Sequence, residues 1–301
     1  MSVSISGFTY IRNGFRFGYP FVQAFGSILP ICDEMVVAVG DSDDRTRDAV
    51  AELDPQKVRI VDTVWDMNLR EGGRIFAQQA NLALDCIKGD WGFHIQADEV
   101  IHEDDLTRIK ESVERYHRDP KVEGLLLPFF NFWGSYDWIG SSRRWHRQEV
   151  RLIRNQPGVR SYRDSQGFRA YSSRKAWQDG TEKGRKLRVK RVEAPVYHYN
   201  YVRHPRLMKA KSEYFDRFWH DDTWLAENAL PGKEMDYSQV EGLVRFEGSH
   251  PRSMQPLVQA QDWEFHYDPS KVRMGLKERI LFGIEQLTGW RPGEYRNYVE
   301  I

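Results

Sequence analysis

The residues of this chain best placed to do chemistry are Asp98 and Glu99. They close an apolar, strand-like run, Trp91-Gly-Phe-His-Ile-Gln-Ala-Asp-Glu-Val-Ile101, that gives way abruptly to two carboxylates. Acidic groups at the carboxyl end of a strand fall where open α/β sheets bind ligands. There a carboxylate can hold a divalent cation, Mg2+ or Mn2+, which neutralises phosphate oxygens. The same two residues also suit a plainer role, a buried strand followed by an acidic turn at a helix N-terminus. The surrounding elements decide between the two.

Those elements alternate. Val3–Tyr10 reads as a strand, with Ser2, Ser4 and Ser6 set against Val3 and Ile5. Pro20 opens a short helix that must end before Pro30. Met35–Val39 is the kind of continuous β-prone run that parallel sheets bury on both faces. A helix through Ala49, Val50 and Leu53 follows, then a strand at Val58–Val61. Apolar positions recur at helical spacing from Arg74 to Ile87, and Gly89 stops that helix. Beyond the strand Trp91–Gln96, a helix shows Leu106, Ile109, Val113 and Tyr116 on one face, and Val122–Leu127 reads as another strand. Strands alternating with helices of about 10–15 residues predict an α/β fold, with βαβ units in a mostly parallel sheet flanked by helices.

Composition narrows the function classes. Forty-four basic and forty-four acidic residues cancel, which gives no support to a nucleic-acid partner. Mean hydropathy is −0.66, and no apolar run approaches the roughly 20 residues of a membrane span. No basic and apolar leader opens the chain, so a cytoplasmic protein is expected. Cys32 and Cys86, in apolar contexts, read as reduced thiols, since a zinc site would need more ligands.

Three blocks taken in order carry a family resemblance. They are Ile5-Ser-Gly-Phe-Thr-Tyr-Ile-Arg-Asn13, Cys32-Asp-Glu-Met-Val-Val-Ala-Val-Gly-Asp-Ser-Asp-Asp-Arg-Thr46, and Ala80-Asn81 followed by Gly89-Asp-Trp91 and Gln96-Ala-Asp-Glu99. Over roughly residues 3–200 the chain resembles the family 2 glycosyltransferases, nucleotide-sugar-dependent enzymes of the GT-A fold. The resemblance implies transfer of a sugar from a nucleoside-diphosphate-sugar donor, assisted by a divalent cation (Mn2+ or Mg2+). It implies that Ser6, Phe8, Arg12, Asn13, Gly40, Asp41, Arg74, Asn81 and Gln96 face the nucleotide. Asp98 would carry the metal-facing carboxylate. His198, in Ala194-Pro-Val-Tyr-His-Tyr-Asn-Tyr201, resembles a late histidine that can complete the metal site, while as an isolated residue it also suits hydrogen-bonded packing. Two departures stand out. Val39 sits where the family commonly has a base- or ribose-binding aspartate, with Asp41 two residues on. Gln96 replaces the usual first aspartate of the metal motif and supplies hydrogen bonds without charge.

If the transfer inverts the sugar, it needs a general base near the acceptor hydroxyl. Asp164, in the polar loop Tyr162–Phe168, is the first candidate, followed by Glu149 and Asp137; the arginines crowding residues 143–163 could equally pair with any of them. Trp133, Tyr136 and Trp138 could wall an acceptor site, and Phe129 and Phe130 read as core. The basic run Lys183–Arg191 alternates charges with Leu187 and Val189. It reads as an exposed edge strand or hairpin, with attraction to anionic lipid as the alternative.

The division expected is 1–204 as the catalytic GT-A-like domain and 205–301 as a helical extension packed on it. In that extension Pro205 opens a helix with Leu207, Met208, Lys211, Tyr214, Phe215, Phe218 and Trp219 on one face. Residues 221–253, with Pro231 and Gly232, read as loop, and Val272–Leu287 as a last helix stopped by Gly289. The acceptor stays open between a glycan, a lipid-linked molecule and a small molecule, and a homodimer contact and peripheral attachment to a membrane both stay open as expectations. A nucleotidyltransferase and a non-catalytic sugar- or nucleotide-binding protein are the alternatives. The first would favour a Gly-rich phosphate loop, of which Ser6–Thr9 is a poor version.

Overall fold

The computed structural model describes residues 3–69, 72–228, 234–238, 240–269 and 275–301. Its first half follows the expected alternation: β1 (Ile5–Ile11), α1 (Phe21–Ile28), β2 (Glu34–Gly40), α2 (Thr46–Leu53), β3 (Val58–Thr63), α3 (Arg74–Leu84) and β4 (Trp91–His94). The strands pair in the order β3-β2-β1-β4, all parallel. Parallel pairing through crossover helices brings their carboxyl ends to one edge, where Arg12, Asp41 and Gln96 follow β1, β2 and β4. Within β2, Met35–Val39 is apolar at every position for a visible reason. Met35, Val37 and Val39 pack with Phe21, Phe25 and Ile28 on one face, and Val36 and Ala38 pack with Phe8, Ala83 and Leu84 on the other.

The chain continues through β5 (Glu99–Ile101), α4 (Leu106–His117), β6 (Gly124–Trp133), β7 (Trp138–Gly140), β8 (Gln148–Arg154), β9 (Val159–Tyr162), β10 (Gly167–Ala170), α5 (Arg174–Gln178), β11 (Arg185–Arg191) and β12 (Val196–Tyr201). β8 runs antiparallel between β4 and β6. The strand expected at Val122–Leu127 instead extends to Trp133. It is long enough to take two partners in turn on one flank, β11 beside Gly124–Leu126 and β12 from Phe129 onward. The basic run is likewise no edge. β11 lies among β6, β10 and β14, with Leu187 and Val189 fully buried and Lys186, Arg188 and Lys190 on the opposite face.

After residue 204 come α6 (Pro205–Asp216), α7 (Asp222–Glu227), β13 (Leu243–Arg245), α8 (Gln255–Gln259), α9 (Leu276–Thr288) and β14 (Tyr298–Glu300). His204 caps α6 by accepting from Arg206 N–H, and Pro205 takes the first turn. Gly289, at φ +69°, ends α9 as expected. The expected start of that helix at Val272 lies outside the described residues, as do Pro231 and Gly232. The extension is helical but also carries strands: β14 joins the sheet beside β11 and β13 pairs with β7. Among the described residues no helix is long and apolar enough to cross a membrane. Both cysteines are free thiols.

Candidate active site

β12 carries His198 between two partners. Glu99 of β5 is its register neighbour on one side and Asn131 of β6 on the other. The Asn131 side chain donates through Nδ2 to the carbonyl of His146 at 2.8 Å, which turns its Oδ1 toward the ring. His198 Nδ1 lies 3.0 Å from that Oδ1, so Nδ1 is the protonated nitrogen. In the neutral ring Nε2 therefore bears a lone pair, and it faces Oδ1 of Asp98 at 3.8 Å. Burial pushes the imidazole pKa down against the opposing pull of Asp98. A lone pair and a carboxylate converging in this way are the donors a cation would use, with the second nitrogen anchored as metal-binding histidines usually are.

Glu99, the second acid of the motif, plays a different part. It forms a buried two-point ion pair with Arg151 (2.8 and 2.5 Å) and accepts from Gln96 N–H at 3.1 Å, closing the turn that carries Asp98. Among the described residues no group of three or more His, Cys, Asp or Glu side chains could hold a metal ion. Any cation here would thus have two protein ligands, with water or ligand oxygens completing the shell, as suits Mn2+ or Mg2+.

Lys211 of α6 joins the site although no motif in the sequence marks it. It is buried, with Nζ 3.6 Å from Asp98 Oδ2 and 4.6 Å above the Tyr19 ring, and it also donates to Asn200 Oδ1. Burial, then the neighbouring Arg203, lower its pKa to about 7. Desolvation works against ionisation of Asp98, yet Lys211, His198 and Arg203 together hold its pKa below the ordinary carboxylate range. The signal in the sequence was a lysine on the inward face of an amphipathic helix, where lysine is almost never fully buried unless paired.

Asp98, His198 and Lys211 line a cavity of about 470 Å³ together with Arg12, Gln96 and Asp164. Asp164 is delivered by the β9–β10 loop, whose residues on either side of it, Arg163 and Ser165, have φ of +55° and +64°. Two non-glycine residues in the left-handed region store strain, and such strain is found at functional loops. The loop is tied down by Gln96 Nε2, which donates to Ser165 O at 3.3 Å, and by contact of Ser165 Oγ with His94 Nε2 at 3.3 Å. Gln96 thus links the strand end to the Asp164 loop. Gly73, at φ +66°, lies so close that a Cβ there would stand 2.8 Å from Asp164 Cβ and 2.9 Å from the Trp219 ring. Burial raises the Asp164 pKa, against the hydrogen bond from Gln166.

The other expected positions divide. Arg12 lines the cavity, ion-paired to Asp41 at 3.1 Å and donating to the Tyr214 hydroxyl. Gly40 has Trp65 packed against it, where a Cβ would meet Nε1 at 2.5 Å, and that buried indole N–H has no partner among the described residues. Asn13 accepts from Asp43 N–H and braces the loop after β1 against the loop after β2. Ser6 donates to Glu34, Phe8 is fully buried, and Asn81 makes a reciprocal pair with the backbone of Ser161. Ser6 and Asn81 thus make their hydrogen bonds within the fold. Arg74 and Asn81 line a second cavity.

Of the expected bases, Asp164 alone lines the first cavity. Glu149 sits on β8 with its pKa pushed up to about 8, by desolvation first and by Glu99 and Asp164 against Arg151. Asp137 is exposed, its carbonyl accepting from Phe246 N–H. The aromatic segment does not wall this cavity. Trp133 donates to Tyr237 O at 2.9 Å within a separate buried cluster, and Trp138 packs on Tyr267.

The chain matches no family model and no curated protein sequence. Among solved structures it is similar to Staphylococcus aureus TarS residues 1–349 (11% identity over 71% of this chain and 65% of that one, TM-score 0.40). It is also similar to the mannosyltransferase PcManGT of Pyrobaculum calidifontis in complex with GDP-Man and Mn2+ (21%, 42% and 35%, TM-score 0.32). A third is the mannosyl-3-phosphoglycerate synthase of Rubrobacter xylanophilus (18%, 47% and 43%, TM-score 0.30). The chain thus spans under two thirds of each of these proteins.

Proposed function

We propose that this chain is a glycosyltransferase that moves a sugar from a nucleoside-diphosphate-sugar donor to an acceptor hydroxyl, with inversion at the anomeric carbon. The observation that carries the reading is the convergence of His198 Nε2 and Asp98 Oδ1 at 3.8 Å at the strand ends, in the same cavity as Asp164. Asp98 and His198 would hold a divalent cation, Mn2+ better than Mg2+ given the imidazole. When bound, the cation supplies Lewis-acid stabilisation of the charge that develops on the leaving diphosphate.

The chain's own groups do the rest. Lys211, its pKa lowered to about 7, places an amine that titrates near neutrality beside Asp98. Arg12, already held by Asp41 and Tyr214, stands at the end of β1 where a nucleotide would lie. Asp164 accepts the acceptor's proton as its oxygen bonds to the anomeric carbon and the sugar–phosphate bond breaks. A carboxyl raised by burial is a stronger base than one in water. Phe215 and Trp219 line the cavity as apolar wall.

The deciding experiment is titration of UDP, GDP and dTDP with and without Mn2+ into the parent protein, Asp98→Asn and His198→Ala. Metal-dependent binding of one nucleotide, lost in Asp98→Asn and weakened in His198→Ala, supports the reading. Binding by Asp98→Asn equal to the parent's would overturn the metal assignment. Equal loss of metal-free and Mn2+-dependent binding in His198→Ala would assign that residue to packing.

A further inference from the structure

On the far side of the Asp164 loop lies a second cavity, of about 810 Å³. The loop divides the two: Asp164 lines the first, while Arg163, one residue earlier, lines the second. Gly73 and Arg74 repeat the division at the start of α3, where Gly73 abuts Asp164 and Arg74 lines the second cavity. The partition is closely packed there, since a Cβ on Gly73 would stand 2.8 Å from Asp164 Cβ and 2.9 Å from the Trp219 ring.

The lining is basic in a chain whose formal charge is zero. Arg74, Arg163, Arg169, Arg174 and Lys183 face two acids, Asp85 and Glu182. Both acids are already engaged. Asp85 pairs with Arg160 and Arg174 at 2.7 Å each, and Glu182 accepts from Ser172 N–H at 3.0 Å. Arg163 makes no carboxylate ion pair among the described residues. Its guanidinium lies 5.6 Å from the Tyr162 ring centre, and Arg169 lies 4.6 Å from the same ring. Tyr171 and Trp177 add further rings to the wall. Concave walls of one sign raise the local concentration of the opposite charge, and guanidinium forks match phosphate oxygens. Aromatic rings with polar tips suit sugar faces.

We propose that this second cavity binds a phosphate-bearing sugar or polyol. Its phosphate rests against Arg163 and Lys183, and its sugar or polyol part lies against the rings of Tyr171 and Trp177. This binding claim stands apart from the glycosyltransferase reading.

The test is calorimetric titration of glucose 6-phosphate, glycerol 3-phosphate and glucose into the parent, the Arg163→Gln/Lys183→Gln double variant and Asp98→Asn. UDP with Mn2+ is titrated into the same samples. At least one phosphate ester is expected to bind the parent more tightly than glucose and to weaken with added salt. The double variant should bind that ester at least about 10-fold more weakly with its UDP–Mn2+ binding unchanged, which also shows that it is folded. Asp98→Asn should keep the ester and lose UDP–Mn2+. If no phosphate ester binds, if the double variant binds it as the parent does, or if Asp98→Asn loses it too, the second site is overturned. Failure of UDP–Mn2+ binding in the parent, with ester binding intact, would overturn the donor reading alone.

Discussion

Asn131 fixes the proton of His198. The two are register partners across β6 and β12, and Nδ1 to Oδ1 is 3.0 Å. With that proton held, Nε2 is left to Asp98. Asn131→Leu keeps the volume and removes the acceptor. Mn2+-dependent nucleotide affinity should then fall about 10- to 100-fold, the usual cost of losing such a supporting group. Metal-free nucleotide binding should not change. Calorimetry with and without Mn2+ reads both, and an equal fall in the two would place Asn131 in packing alone.

Glu99 should prove structural although it adjoins Asp98. It and Arg151 are both buried and face each other through two hydrogen bonds. Glu99→Gln leaves a buried guanidinium without its counter-charge. The expected loss is about 3–5 kcal/mol of unfolding free energy, measured from urea midpoints. Glu99→Gln with Arg151→Met should recover much of it. A single variant as stable as the parent would show that the pair carries no stability.

How far the sequence reaches is clear from these residues. The parallel strands and Asp98 were legible because β2 and β4 are local apolar runs with a sharp polar end. The partners of Asn81 and Ser6 were not. The partner of a polar side chain in a motif is set by tertiary packing, and Asn81 donates to Ser161, 80 residues away. Lys211 was legible as one position of an amphipathic face but not as Asp98's neighbour, because the packing of α6 over the strand ends is set by tertiary contacts. The run Lys183–Arg191 showed its alternation and hid its place in the sheet, because β10 and β14 find it from either side.

His94 gives the protein an acid-sensitive joint. It is fully buried, contacts Phe8 O through Nδ1 at 3.2 Å and reaches Ser165 of the Asp164 loop through Nε2. Burial, then Arg151, lower its pKa to about 3 from the ordinary 6.5. Above pH 6.5 the ring is neutral in both folded and unfolded chains, so the stability it supports is fully present. As pH falls below 6.5 the unfolded chain takes up a proton that the folded one refuses. This one residue should then lower stability by up to about 1.4 kcal/mol per pH unit until the folded pKa is reached. His94→Gln removes the titration. Urea midpoints between pH 7 and 4 should fall less steeply in the variant, and parallel curves would exclude His94 as the source.

Asp164 is the residue on which transfer should depend. Asp164→Asn is nearly isosteric and can still accept from Gln166, so the strained loop should persist. Donor binding, held by Asp98 and Lys211 on another wall, should stay near the parent's. Transfer, or hydrolysis of the donor in place of transfer, should drop about 10²–10⁴-fold, the usual value of general-base assistance. Glu149→Gln is the internal control. Its carboxyl, with a pKa near 8, is largely protonated at neutral pH and is a poor base there. That variant should keep most of the rate, as should Asp137→Asn, whose side chain is exposed and does not line the cavity. Normal turnover by Asp164→Asn would remove it from the mechanism. A large loss in Glu149→Gln instead would move the base to β8 and require the acceptor to enter from the Gly167 side, where Glu149 Oε2 lies 3.5 Å from the position a Cβ on Gly167 would take.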